Sequence, residues 1–307
     1  MIKHFYNEKE DGMLEVREKR DAGVWTHVIA PTPQELATLA EDFGLESLII
    51  ADIKDIFEVP RYEQEGSISY FFTRFLNDDE DSDVDTLPLL IILGPSFIIT
   101  IANQDALFLK PFITGKRSVV TTQETVMFLE IMTAMMTNYA RVLNTLRKAV
   151  QRDVARVRNI RGKDIQRLVY FEQELNEILS ALLPTNMWLQ QLEKGNYIKM
   201  FSDDRERLED LLIASSQIVD SAKMVIKTIQ NIRSASEAIL TYRLNNTMRM
   251  LTAFTIILTI PTIIASLFGM NVPIPMQDYK YGFWIVLGII IIVIGITIHF
   301  FVRNRWI

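Results

Sequence analysis

The chain has 307 residues, 49 % apolar and 23 % charged, which excludes a disordered or collagen-like polymer and leaves room for one to three domains. It has no cysteine, and its three histidines, His4, His27 and His299, lie far apart; disulfide scaffolds, thiolate zinc sites, thiol catalysis and a local histidine metal motif are excluded. The net charge is −6, yet residues 251–307 carry only Asp278, Lys280, Arg303 and Arg305, a net of +2, so residues 1–250 carry −8.

An acidic body on a nearly uncharged tail argues against nucleic acid as a partner and suits a soluble domain that attracts cations, joined to a membrane anchor. In chain order, residues 1–8 hold no apolar run that would act as a signal peptide. Residues 1–117 form the first domain, in which short apolar runs alternate with turns. Residues 24–30, 67–76, 87–93 and 97–102 are rich in β-branched and aromatic side chains and read as strands, the last two joined at Gly94-Pro95 as a hairpin. Residues 33–43 read as a helix with Thr32 as N-cap and Pro33 in its first position, and residues 46–56 as a second helix. The expected fold is a mixed α/β domain whose sheet order the sequence does not specify.

Residues 118–250 have a different character: glycine nearly vanishes and helix formers dominate. Thr121-Thr122-Gln123-Glu124 resembles a capping-box start, and Gly162, Pro184 and Gly195 are the strong breakers, so helices are expected at 120–158, 164–193 and 203–270. The last, capped by Ser202-Asp203-Asp204, meets neither glycine nor proline before Pro261. At ~100 Å it would need neighbouring helices or copies of itself. Met127, Met132, Met135 and Met136 read as core packing. Arg141, Arg147, Lys148, Arg152, Arg156, Arg158, Arg161, Lys163 and Arg167 form a basic stretch, set against Asp153 and Asp164. It reads as a solvated helix face paired with acids such as Glu172, Glu174 and Glu177, in preference to contact with anionic lipid or an acidic neighbour.

Two spans follow, 251–271 and 283–302, free of charge and each ~20 residues long, enough for a bilayer core. The loop 272–282 between them contains Pro273 and Pro275, Tyr281 and Trp284 sit where an aromatic belt would lie, and 303–307 is a basic tail. Arg243, Arg249, Arg303 and Arg305 flank the spans on one side, against Lys280 alone in the loop. The positive-inside rule therefore places both termini in the cytoplasm of a multi-pass cell-membrane protein.

Along the first span, Asn245, Met248, Thr252, Thr255, Thr259, Thr262, Ser266 and Gly269 recur at alternating steps of three and four, a heptad seam on which six of eight residues are Asn, Thr or Ser. The hydroxyls could bond back to the i−4 carbonyl or help helices pack in lipid; the seam as a whole reads better as a lumen-facing row. Two spans cannot enclose a pore, so a cyclic homo-oligomer is expected. A lining of neutral oxygens suits a cation that keeps its water, as Mg²⁺ does, because fixed charges would hold a divalent ion too tightly to let it leave.

Gly269-Met270-Asn271, at the end of this span, resembles the Gly-Met-Asn signature of the CorA family of divalent-cation channels. The resemblance implies a CorA-like homopentamer: an α/β cytoplasmic domain, a long helical stalk and two C-terminal transmembrane helices. It implies transport of Mg²⁺ and Co²⁺, with Gly269, Met270 and Asn271 forming the outer mouth. Asn245 would form a ring near the cytoplasmic end, Met248 and Leu251 an apolar constriction, and Thr262 a ring midway. Leu251 lies beside the seam. It further implies a regulatory Mg²⁺ bound by stalk carboxylates, with Asp210 at the position of the family's stalk carboxylate, Asp203 and Asp204 nearby, and Asp79 in the acidic run 77–85 as a candidate partner from a neighbouring subunit.

The outer loop has a single acid, Asp278, and the residues after the motif, Val-Pro-Ile-Pro, are not aromatic as in many members. Zinc transporters resembling ZntB share the layout, but Met270 favours the Mg²⁺/Co²⁺ branch. No nucleophile, phosphate loop or catalytic carboxylate pair stands out, so the chain does not read as an enzyme. A non-conducting membrane-anchored sensor or scaffold is the reading from another class. His299 reads as lipid-facing or snorkelling rather than as a proton relay.

Overall fold

Among the described residues, seven strands, β1 (Ile2–Tyr6), β2 (Glu15–Arg17), β3 (Val24–Ile29), β4 (Arg61–Glu65), β5 (Ile68–Asn77), β6 (Asp85–Gly94) and β7 (Phe97–Ala102), form one sheet in the order β2-β1-β3-β7-β6-β5-β4. This is a computed structural model that describes residues 1–9, 12–18, 22–77, 85–154, 162–195, 198–270, 280–304 and 306. The chain divides into two units, Met1–Asn231 and Ile232–Ile307. In the first unit β3 pairs with β7 in parallel, and every other pairing is antiparallel.

The four strands expected from the sequence are present. β1, β2 and β4 were not expected, because they are short or carry polar residues on alternate positions. Two of them, β2 and β4, are the outer strands, where charged side chains such as Arg61, Glu63 and Glu65 discourage pairing with another chain.

α1 (Pro33–Phe43) begins with the expected Thr32 cap. Thr32 Oγ1 accepts from the Glu35 N–H and the Glu35 carboxylate accepts from the Thr32 N–H, a complete capping box. The second expected helix, 46–56, is cut short. α2 covers Ser47–Ala51 and a 3-10 turn covers Asp52–Lys54. The Asp55 carboxylate then takes the Phe57 N–H, so a local side chain replaces the next helical bond. A short helix α3 (Lys110–Ile113) follows the sheet.

Both sheet faces are covered. On one, Tyr70, Phe72, Leu90, Ile92, Ile99 and Ile101 pack with Leu36, Leu39, Ile50 and Ile53 of the small helices. On the other, Phe71 lies 4.5 Å from Phe128 and 5.3 Å from Trp188, ring centre to ring centre. Burial on both sides explains why β5 and β6 read as continuous apolar runs instead of alternating.

Phe128 and Trp188 belong to α4 (Glu124–Val154) and α5 (Gly162–Lys194); α6 (Ser202–Phe268) follows. α4 starts four residues later than expected because Thr121 is held elsewhere: it is buried, and its N–H and hydroxyl both bond the Asn7 carbonyl, tying this segment to the end of β1. α5 runs through Pro184. Asn186 of α5 bonds Ser216 of α6, and Gln230 of α6 bonds Glu172 of α5. The two contacts are fourteen residues apart on each helix, which fixes an antiparallel pair in register. Thr125 and Glu130 of α4 bond Lys199 and Arg207, so α4 runs parallel to α6. Met127, Met132, Met135 and Met136 are buried in the core, as expected.

The second unit contains the rest of α6 and α7 (Gly282–Arg303). Each helix has an apolar window long enough to cross a membrane, and only 6 % of either window is buried within the chain. Ala253 is buried, and Phe301 is buried against Trp306, their rings 5.5 Å apart.

Candidate functional site: the polar seam of the first span

α6 is one continuous helix of 67 residues, and Pro261 lies inside it. Proline has no N–H to give, so the Ile257 carbonyl loses its usual helical donor. The helix ends at Phe268, and the Gly269 N–H closes it on the Ala265 carbonyl at 2.9 Å. A methyl group on Gly269 would stand 3.3 Å from that carbonyl oxygen, so the close turn favours glycine.

Asn245, Met248, Leu251, Thr252, Thr255, Thr259, Thr262, Ser266, Gly269 and Met270 are all exposed in the single chain. Met248 and Leu251 are 53 % and 60 % exposed, like many other apolar side chains of the unit. Every threonine of the seam bonds back to its own helix: Thr252 to Met248, Thr255 to Leu251, Thr259 to Thr255 and Thr262 to Leu258, at 2.7–2.9 Å. The same bond occurs at Thr247 and at Thr297, outside the seam, so back-bonding is a habit of the chain and does not mark a lumen. Its consequence does matter. Each hydroxyl proton is committed inward, which leaves oxygen lone pairs as the outward chemistry. Asn271 lies outside the described residues.

The acidic residues of interest stand in the first unit. Asp204 is buried, and its carboxylate accepts the Phe201 N–H at 2.9 Å; within the expected Ser202-Asp203-Asp204 start, it is the residue that caps α6. Asp203 accepts from the Ser202 hydroxyl. Asp210 is exposed and lines an open groove of about 750 Å³ between α4 and α6, together with Glu130 and Arg207. Glu130 is held by two arginines, Arg117 before α4 and Arg207 on α6. This network escaped the sequence reading because its members are up to 90 residues apart and no local motif joins them. Among the described residues no three His, Asp or Glu side chains come together as a metal cage. Asp79 lies outside the described residues.

These features define a class: an α/β soluble domain with long helices, followed by two lipid-length apolar helices, the first bearing a polar seam. A family model described as CorA-like Mg²⁺ transporter protein matches residues 20–303, and the chain belongs to that family. It is 23 % identical over 302 residues to the cobalt/magnesium transport protein CorA of Methanocaldococcus jannaschii, covering 92 % of this chain and 91 % of the relative. The solved structure of the CorA magnesium transporter from that organism superposes with a TM-score of 0.89 at 19 % identity, over 100 % of this chain and 99 % of the other. The ZntB cytoplasmic domain from Vibrio parahaemolyticus superposes with a TM-score of 0.64 at 10 % identity, over 78 % of this chain and 98 % of that domain. At these identities the structural likenesses establish a shared fold.

Proposed function

We propose that the chain carries Mg²⁺, and Co²⁺ with it, across the cell membrane, through a pore lined by the α6 seam of several copies arranged around one axis. The observation that carries this reading is the row of exposed seam threonines, whose protons point into the helix. A hydrated Mg²⁺ presents water O–H groups outward, so it needs acceptors and not donors. Rings of threonine oxygens supply them reversibly and without fixed charge, so the ion can be held and released with its shell intact. Family membership and the near full-length match to the M. jannaschii transporter support the same ion.

The finer reading takes the assembly as a pentamer with both termini in the cytoplasm. Asn271 oxygens touch the hydrated ion at the outer mouth, next to Gly269 and Met270. Asn245 rings the inner end, and Met248 and Leu251 form the constriction. Internal Mg²⁺ bridges Asp210, with Asp203, Asp204 or Asp79, between adjacent subunits and holds the pore shut; its loss leaves like charges facing one another and favours opening. The exposure of Asp210 on the groove supports this role, and the Asp204 carboxylate already serves the first turn of α6.

Zn²⁺ as the cargo is the second reading, favoured only by the ZntB-like fold, whose match is weaker than that of CorA. The test is uptake into proteoliposomes loaded with Mg²⁺- or Zn²⁺-sensitive dye. Wild type should take up Mg²⁺, and Asn271→Ala should abolish that uptake. Zn²⁺ uptake alone would move the assignment to zinc. No flux of either ion, with oligomers intact and internal Mg²⁺ removed, would leave a sensor or scaffold.

A further inference from the structure

The transport reading makes no use of the connection between the Asp52–Lys54 turn and β4, where Phe57 is 82 % exposed and Ile56 and Val59 beside it are exposed as well. This connection is firmly held. Arg74 of β5 is buried, and its guanidinium donates to the carbonyls of Ile56, at 2.7 Å, and Glu58, at 3.0 Å, on either side of Phe57. The Asp55 carboxylate accepts the Phe57 N–H at 2.9 Å, and Arg61 ties the Glu58 side chain to Asp52 and Glu63. A large apolar ring is thus presented to water on a backbone pinned from both sides. A partner that covers such a ring removes on the order of 150–250 Å² of surface from water, with little further loss of backbone freedom.

The matching surface is the groove of about 750 Å³ between α4 and α6. Met136, Leu143, Leu211 and Ile218 form its apolar floor, and the short side chains of Ala140 and Ala214 leave room above them. A chain cannot fill its own groove with its own ring. Arg74, which holds the Phe57 loop, shares a face of β5 with Tyr70 and Phe72, the face that carries the small helices. α4 covers the opposite face through Phe128 on Phe71, and α6 is bonded to α4. The charges are complementary too. Beside Phe57, the carboxylates of Asp52, Glu58 and Glu63 share Arg61, three against one, a net of −2. At the groove, Arg117, Arg147 and Arg207 stand against Glu130 and Asp210, three against two, a net of +1. A knob on one face and a hole on the other make a head-to-tail contact, which repeats from copy to copy around a ring.

We propose that Phe57 of one copy docks into the α4–α6 groove of the next, so that the first units of adjacent copies meet head to tail. The contact holds whichever ion the copies carry. To test it, the full-length protein is made with a photoreactive benzophenone side chain in place of the Phe57 ring, which keeps an aromatic group at that position. Chains grown on ordinary and on heavy nitrogen are assembled together, irradiated in mild detergent, and their crosslinked peptides read by mass spectrometry. We expect peptides that join a light chain to a heavy one, from position 57 to residues 130–147 of α4 or 207–221 of α6. Ala140→Trp puts bulk at an exposed position in the groove and should lower their yield at least about fivefold. Crosslinks confined to one chain, to lipid or to another surface of the neighbour would overturn the proposal. So would the absence of joined chains, or a yield that Ala140→Trp leaves unchanged. Phe57 is so exposed that replacing its ring removes little packing, and the mapped crosslinks decide the matter even if Ala140→Trp folds poorly.

Discussion

His27 lies in the middle of β3, is almost fully buried, and its Nδ1 is 2.9 Å from the Thr100 hydroxyl, which also accepts from the Trp25 indole N–H. Its Nε2 has no hydrogen-bond partner. Burial disfavours the charged ring and lowers its pKa to about 4; Asp105 opposes this weakly. The folded state therefore binds this proton less readily than the unfolded chain does. The stability His27 contributes is fully present above pH 6.5 and is lost as pH falls toward 4, by about 2 kcal/mol at pH 5. Thermal unfolding in detergent should show a Tm that drops between pH 7 and pH 5, with a smaller drop in His27→Gln; an equal drop would remove His27 as the source. Tyr139 is a second fixed point: its buried hydroxyl donates to the Arg74 carbonyl at 2.8 Å. Tyr139→Phe leaves that carbonyl unpaired and should cost roughly 1–3 kcal/mol in a denaturant titration, with no change in ion selectivity. Of these residue-scale features the Thr32 cap was legible, because its partner Glu35 is three residues away. The ties of Asn7 to Thr121 and of Tyr139 to Arg74 were not, because the partners are 114 and 65 residues apart.

The seam is the element on which function turns. Thr→Val keeps shape and removes the outward oxygen. Thr255→Val and Thr262→Val are expected to lower Mg²⁺ flux several-fold each, whereas Thr247→Val and Thr297→Val, which remove the same backbone bond outside the seam, should leave it near wild type. Equal losses at all four positions would show that the back-bond matters and the seam does not. The Glu130 bridge makes a smaller prediction. Its members are partly exposed, so Glu130→Ala should destabilise the first unit by no more than about 1 kcal/mol, less at high salt, as read from a urea midpoint. Elements with a strong local signature were readable in advance: α6 by its uninterrupted helix formers, α7 by uncharged length, β5 to β7 by apolar runs. β1, β2 and β4 lacked such a signature, because an outer or short strand gains its pairing from a neighbour and not from its own composition.

At the scale of the whole molecule, the apolar windows of α6 and α7 are left bare by the single chain and must be covered by lipid or by other copies. Native mass spectrometry from mild detergent should show an oligomer, five chains in the proposed form; a monomer would remove the pore, since two spans enclose nothing. The two-span layout was visible in the sequence because bilayer thickness sets a length and a composition that few soluble helices meet. The sheet order was not, since β3 pairs with β7 more than 70 residues away and no local rule specifies that neighbour. The proposed pore requires that this chain conduct hydrated Mg²⁺. The most direct measurement is Mg²⁺ entry into proteoliposomes bearing wild-type protein, with internal Mg²⁺ chelated and parallel vesicles reporting Zn²⁺. Rapid Mg²⁺ entry that exceeds Zn²⁺ entry is the predicted result; intact oligomers that admit no Mg²⁺ under these conditions would contradict the account.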